Sequence, residues 1–515
     1  AKSPVDLGTR CTVFMNSKVK QAQKDGADVS DISAGIALSV IKNALFKVIQ
    51  IKDTEELGDS IVVQGGTFYN DAVLRAMELL LKRDVVRPDI AGLMGAYGMA
   101  LLAMERQGEK SALLSAEQLQ QFSMKTSSYR CRKCGNQCLI TIQHFPDGEK
   151  YYTGNRCERG IGSAASVSRA PNIYAYKYER LFSFYQPLEH PSRGMIGLPR
   201  VLNMYEDYPF WFTFFTELGY QVVLSDKSSA EMYYKGMATV PSDSLCYPAK
   251  IVHGHIMDLA EKGLKKIFYP CIPYNMADDC NRSDNHYNCP VVASYAENIR
   301  ANMDVLQEEK IRFYQPFLPL NDRKRLISRL QKELAEESLG RAELEKAVGA
   351  AYQALSEYKQ DVQAYGRKIL KEIEEKKEPA ILLAGRPYHI DPEINHGIPE
   401  LIQSYGIPVL SEDAVYHLPI NGEKLEIVNQ WSYHARLYHA AEYVGEHDHL
   451  TMIQLSSFGC GLDAVTSDEL KEILHRKNKL YTQIKIDEIS NLGAVKIRLR
   501  SLIAVMDERA KRHGK

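Results

Sequence analysis

Two hydrophobic rhythms alternate along this chain. Short apolar runs at residues 61–66, 200–204, 221–224, 266–269, 290–293, 380–384, 408–411, 450–455 and 479–485 read as strands. Between them lie stretches with apolar residues at helical spacing, among them 70–82, 209–218 and 249–262. Such alternation predicts parallel sheets covered by helices, that is, an α/β protein with doubly wound (flavodoxin/Rossmann-like) lobes over 195–325 and 379–515. Residues 326–378 break the rhythm. They are highly charged and place Leu326, Leu330 and Leu334 at helical spacing, which predicts long helices bridging the two lobes. Residues 1–108 carry their own alternation, with small residues at Gly92, Gly95 and Gly98 suited to close helix packing. Residues 109–128 are polar and read as a linker, and 163–194 read as irregular.

Composition narrows the class. A chain of 515 residues with 45% hydrophobic and 25% charged residues has the make-up of a multidomain globular protein. A net charge of −1 implies no general affinity for nucleic acid or an anionic membrane. No run of about 18 apolar residues stands out, and no signal peptide opens the chain, so a cytoplasmic location is expected. The first residue, Ala1, enters what reads as mid-domain sequence, so a piece of a larger polypeptide is expected. In a reducing compartment the ten cysteines favour metal or simple burial over disulfides.

Four of the ten lie in one module at 129–162: Cys131-Arg-Lys-Cys134-Gly-Asn-Gln-Cys138, then Cys157 after 18 residues. A Cys-x-x-Cys turn brings two thiolates to one metal with little strain, and four thiolates suit either tetrahedral zinc or a [4Fe–4S] cube. The knuckle with Gly135 is zinc-like, whereas a third cysteine four residues on is cluster-like; both remain open. Cys246, Cys271, Cys289 and Cys460 are scattered, but each sits next to a predicted strand or helix end. Ligands of doubly wound sheets bind beyond the carboxyl ends of strands, so these four sulfurs are candidates for one cluster site between the lobes. Each of them alone equally fits a small buried residue. Cys280, in a polar loop, is left out of the set. His253 and His255 fall on a predicted helix, and His389 and His396, in loops, are candidate substrate contacts. Gly65-Gly66 after a strand offers backbone room for a nucleotide or a plain tight turn, and no P-loop is present.

Several stretches together resemble a known family. Gly8-Thr-Arg-Cys11 and Val62-Val-Gln-Gly65-Gly66-Thr-Phe-Tyr-Asn70 resemble the second half of the ATPase activators of 2-hydroxyacyl-CoA dehydratases, which share the actin/Hsp70 superfamily fold. Cys246-Tyr-Pro-Ala-Lys-Ile-Val-His-Gly-His255, Asn285-His-Tyr-Asn-Cys-Pro290, Gly385-Arg-Pro-Tyr-His389 and Ser457-Phe-Gly-Cys-Gly-Leu-Asp463 resemble the dehydratase-like region of long activase-related proteins. The resemblance implies that Cys11 helps hold a [4Fe–4S] cluster across a homodimer interface and that Gly65 and Gly66 face the adenosine of ATP. It implies that the phosphate-binding half of the ATPase lies upstream, so this chain alone is not expected to hydrolyse ATP. It also implies a cluster held by Cys246, Cys271, Cys289 and Cys460, with Arg386, Lys250 and the 391–396 loop lining its pocket. A partner dehydratase and an electron donor such as ferredoxin or flavodoxin are implied as well. The rival expectations are a non-catalytic electron carrier or scaffold, and a zinc-stabilised binding protein.

Overall fold

The structure is a computed structural model. It describes residues 1–8, 12–49, 51, 53–105, 114–132, 139–154, 170–242, 244–277, 283–457, 460–488 and 492–513. Contacts divide the chain into two compact units, Ala1–Phe122 and Ser123–Lys515.

The first unit holds α1 (Thr12–Lys24), α2 (Val29–Asn43), β1 (Ile61–Val62), α3 (Asp71–Leu81), β2 (Val85–Val86), α4 (Met94–Glu105) and α5 (Ala116–Gln121). Strands β1 and β2 pair in parallel. The amphipathic helix α3 buries Val73, Ala76, Met77 and Leu81 against Ala37 and Ile41 of α2 and the following Leu45. The stretch Val29–Phe46, with a hydropathy of 1.3, is long and apolar enough to cross a membrane by length and composition, where the sequence predicted no such run. Of its buried positions, Ala37, Ile41 and Leu45 belong to this small core. The close packing expected around Gly95 and Gly98 is absent among the described residues: α4 has no buried residue, and a Cβ at either glycine would meet nothing within 4 Å.

The second unit opens with an antiparallel sheet of β3 (Lys125–Arg130), β4 (Leu139–His144) and β5 (Lys150–Thr153). Helix α6 (Ile173–Phe182) follows, inside the stretch expected to be irregular; its Tyr174 hydroxyl donates to the Leu383 carbonyl at 2.7 Å and seats it beneath the last lobe. The first α/β lobe then runs β6 (Met195–Leu198), α7 (Met204–Glu217), β7 (Gln221–Leu224), α8 (Ala230–Gly236), α9 (Tyr247–Glu261), β8 (Lys266–Phe268), α10 (Pro290–Asn302), α11 (Val305–Glu308) and β9 (Arg312–Tyr314). Helices α12 (Arg323–Glu333) and α13 (Arg341–Lys376) lead to the second lobe. It contains β10 (Ala380–Ala384), α14 (Ile398–Ser404), β11 (Val409–Leu410), α15 (Glu412–Val415), α16 (Ser432–Gly445), β12 (Leu450–Ser457), α17 (Gly461–Arg476), β13 (Tyr481–Ile486) and α18 (Leu492–His513).

Both lobes repeat one topology. The parallel orders are β7-β6-β8-β9 and β11-β10-β12-β13, so in each the first strand lies between the second and the third. The crevice of such a sheet opens at the carboxyl ends of the first and third strands, where successive connections leave in opposite directions. Two predicted strands are corrected. The run 200–204 is a turn with Leu202 at φ 41 that leads into α7, and the strand lies upstream at Met195–Leu198. The run 290–293 opens α10, because Cys289 sits at the N-cap and Pro290 takes the first helical position, where its missing N–H costs nothing. Helix α7 also starts before Pro209, which lies inside it.

The lobes share one apolar core. Aromatic residues of α7 dominate its first half, with Trp211 packed 4.8 Å from both Phe210 and Phe268. Polar groups that cross between the lobes are paired. Arg436 of α16 donates twice to Glu206 of α7, at 2.7 and 3.1 Å, and both are buried. Burial alone would raise the Glu206 carboxyl; Arg436, then Lys359, instead hold it low. Asp391 accepts from Tyr205 and from Ser228, whose hydroxyl also meets His255 Nε2 at 3.0 Å.

Helices α8 and α9 touch through glycine. A Cβ on Gly254 would lie 1.8 Å from the Met232 carbonyl oxygen, against rigid backbone. Gly254→Ala should therefore cost about 1–3 kcal/mol in urea unfolding, whereas Gly340→Ala, with nothing within 4 Å, should leave the midpoint nearly unchanged.

Candidate functional site

Three of the scattered cysteines occupy equivalent positions. Cys246 is the N-cap of α9, Cys289 of α10 and Cys460 of α17. Pro248 follows Cys246 in the first turn of its helix, and Pro290 follows Cys289 directly, so each sulfur is placed by a helix start. The first two come from one lobe and the third from the other. A helix N-terminus presents free N–H groups and a positive dipole end, which favours negative charge on sulfur. The Val292 N–H donates to Cys289 Sγ at 3.5 Å.

The thiols share one electrostatic environment. Burial pushes Cys246 up to about 11; the Ala249 backbone and Arg386 oppose this, and the charges of Cys289 and Cys460 add to it. Cys289 is raised for the same first reason, again with Arg386 opposing and Cys460 adding. Without a counter-charge these are neutral thiols. A metal or cluster that binds them must displace their protons.

Arg386 stands at the centre. It follows β10 at the crevice of the second lobe and is buried. Its Nη2 lies 3.3 Å from Cys460 Sγ and 3.3 Å from His434 Nε2, and pairs with Asp463; its Nη1 donates to the Tyr388 hydroxyl at 2.8 Å. Burial disfavours its charge, but Tyr388, Asp463 and the thiols Cys460 and Cys289 outweigh that and hold it protonated. Asp463 is held in turn by the Ser457 N–H at 2.9 Å. Burial and then Arg386 keep His389 and His434 neutral. His389 Nδ1 accepts from the Arg386 N–H at 3.1 Å, so its Nε2 carries the proton. Among the described residues His389 Nε2, His434 Nδ1 and Ser457 Oγ are buried without hydrogen-bond partners.

Cys271 is placed differently. It follows β8 and is buried, but its sulfur lies against α10: burial raises it to about 12, Glu297 adds to this, and the Glu297 and Ala296 backbone oppose it. The other three thiols do not figure among its charges. Burial raises the Tyr269 hydroxyl, and Cys271, Tyr295, Cys289 and Cys246 add to this; among the described residues that hydroxyl has no hydrogen-bond partner. Lys250 is bound to Glu488 at 2.9 Å and Asp391 to Tyr205 and Ser228, so neither is spare for a ligand. His253 is held by Thr239 at 2.7 Å and Tyr295 at 2.9 Å, and burial pushes it down to about 4. His396 contacts the Asp487 carbonyl at 2.7 Å. The residues the sequence did not single out are Asp463, His434, Tyr388 and Tyr269. Asp463 and Tyr388 stand inside recognised motifs beside Cys460 and Arg386; His434, on an ordinary-looking helix, gave no signal.

Cys131 is buried at the end of β3, while Cys11, Cys134, Cys138, Cys157 and Cys280 lie outside the described residues. Among the described residues no three His, Cys, Asp or Glu side chains converge on a point that would hold one metal ion. In the first unit, Gly65 has φ 105, ends the segment after β1, and donates to the Ala91 carbonyl at 2.7 Å; a Cβ on Gly65 or Gly66 would meet nothing within 4 Å. Backbone is therefore open to approach there.

Comparison with known proteins gives this arrangement a context. Residues 195–415 match a domain described as a CoA enzyme activase uncharacterised domain, and residues 1–103 match the BadF/BadG/BcrA/BcrD ATPase family. The chain is thus related to the CoA enzyme activases. It is 33% identical over 111 residues to the 2-hydroxyisocaproyl-CoA dehydratase activator of Clostridioides difficile, covering 21% of this chain and 40% of that protein. It is 31% identical over 110 residues to the activator of lactoyl-CoA dehydratase of Anaerotignum propionicum, covering 21% and 41%. An uncharacterized protein of Methanocaldococcus jannaschii is 29% identical over 99 residues, covering 19% and 23%. The chain spans well under half the length of each relative.

The buried Arg386–Asp463 pair is expected to dominate local stability. Arg386→Ala should cost about 3–5 kcal/mol in the metal-free protein, because Asp463 is left charged and buried. Asp463→Ala in the same background should restore part of the loss, which a double-mutant cycle in urea would measure.

Proposed function

We propose that this chain serves ATP-coupled transfer of low-potential electrons in 2-hydroxyacyl-CoA dehydratase-type chemistry, and that Cys246, Cys289 and Cys460 hold a [4Fe–4S] cluster between the lobes. One observation carries the proposal: three thiols from three helix N-caps, drawn from both lobes, share the environment of one buried guanidinium. The donor set fits the group. Soft thiolates select iron–sulfur clusters or zinc. Cys246, Cys289 and Cys460 would hold such a group through their sulfurs, with Arg386 beside Cys460. When bound, such a cluster supplies one-electron transfer at low potential.

The chain's own residues set the conditions for that transfer. Arg386 and three helix N-termini offset thiolate charge and favour the reduced form. Arg386 donates toward Cys460, and the neutral imidazoles of His389 and His434 keep further N–H donors in the same buried region. Arg386, His389 and His434 are buried beside the thiols, of which Cys289 is buried while Cys246 and Cys460 are half-buried. With Cys271 packed under α10, the protein ligands proposed are Cys246, Cys289 and Cys460. The alternative that all four bind is decided by the same experiment.

Further parts of the proposal rest on kinship. Gly65 and Gly66 would face the adenosine side of ATP, and Cys11 would pair with its copy in a homodimer to carry a second cluster. The module of Cys131, Cys134, Cys138 and Cys157 would hold zinc or a cluster. A partner dehydratase and a ferredoxin- or flavodoxin-type donor would complete the path.

Anaerobic reconstitution with iron and sulfide, followed by iron analysis and electron paramagnetic resonance, tests the central set. Cys246→Ser, Cys289→Ser and Cys460→Ser should each remove up to about four irons per chain together with one signal, and Cys271→Ser should retain both. Equal iron content in all four variants and the parent would refute the assignment.

A further inference from the structure

A second site lies in the same lobe, on a different face of α16. A cavity of about 320 Å³ opens between α16 and the segment 416–429, with Asp284 of the other lobe at its rim. That volume lies at the small end of the range for small-molecule pockets. Ala435, Tyr438, His439 and Glu442 line it from successive turns of α16. At 100° per residue they cluster about a quarter turn from His434, which faces Arg386. The cavity is therefore separate from the thiol group, although one helix serves both.

Two acceptors on its wall are unspent. Glu442 is 3% exposed and its Oε2 has no hydrogen-bond partner; Asn429 is 7% exposed and its Oδ1 has none. Lys477 approaches Glu442 Oε2 only to 4.0 Å, too far for a hydrogen bond. Buried acceptors left unmade cost free energy, and two of them lining one cavity call for a donor inside it. The lining carries Asp284, Glu423 and Glu442 against Lys424, and from outside Arg476 at 3.6 Å from Glu423 and Lys477 at 4.0 Å from Glu442 offset two of these carboxyls, so it is the unspent acceptors that select the ligand. The rest of the wall is apolar or aromatic, from Tyr416, Ile420, Leu425 and Ile427.

We propose that this cavity binds a small organic ammonium ion, its N–H groups on Glu442 and Asn429 and its carbon chain against Leu425 and Ile427. A carboxylate or phosphate ligand brings no N–H to these two acceptors and would face them oxygen to oxygen.

Isothermal titration with n-pentylamine, with pentan-1-ol as the uncharged comparison, tests this on the full chain. The amine should bind at least ~10-fold more tightly than the alcohol. Glu442→Gln should weaken amine binding at least ~10-fold. Leu425→Trp, which fills the cavity without removing a polar group, should abolish it. Equal binding of amine and alcohol, or undiminished amine binding in Leu425→Trp, would overturn the proposal. Should Glu442→Gln fail to fold, those two comparisons decide it. Iron content is expected to be the same in Leu425→Trp and the parent, which keeps this test independent of the cluster.

Discussion

The ion pair between Arg436 and Glu206 joins two helices that are 230 residues apart along the chain. Neither charge has enough water to stand alone, so the lobes are held where the two meet with both hydrogen bonds formed. The bonds of Tyr205 and Ser228 to Asp391 impose the same condition a short way off. A slip between the lobes would strand several buried polar groups at once, which costs far more than a slip of apolar surface. In this arrangement the N-termini of α9 and α10 in one lobe and of α17 in the other carry Cys246, Cys289 and Cys460.

That placement explains why these cysteines differ from ordinary buried ones. A thiol in a core is inert because burial holds its proton. Cys246 and Cys289 feel the same burial, but a guanidinium and helix starts work against it. Cys271 lacks that opposition and is a core thiol in its surroundings. All three of these thiols are raised by burial, and Arg386 opposes it at Cys246 and Cys289 but is not among the charges acting on Cys271. Arg386 is held in charge by Asp463 on one side and directed at Cys460 on the other.

Much of this architecture is legible in the sequence, because parallel strands buried on both faces are continuous apolar runs. The strands at Ala380–Ala384 and Leu450–Ser457 stand out for that reason. Misreadings arise where apolar runs serve other ends. Val291 and Val292 look like strand residues, but Cys289-Pro290 starts a helix, and capping overrode β propensity there. Val201 and Leu202 are buried in a turn. At the site, cysteine spacing next to strand ends was readable. The partition of the four sulfurs was not, since it depends on which way Cys271 turns after β8. Nor was the Arg386–Asp463 pair, which spans 77 residues and exists only when the second lobe is folded.

Anomalous diffraction at the iron edge, from crystals grown without oxygen after reconstitution, is the most direct measurement. The account predicts an iron peak between the sulfurs of Cys246, Cys289 and Cys460, within reach of Arg386, with Cys271 outside its coordination. Iron confined to other parts of the chain, with those three sulfurs bare, would contradict it.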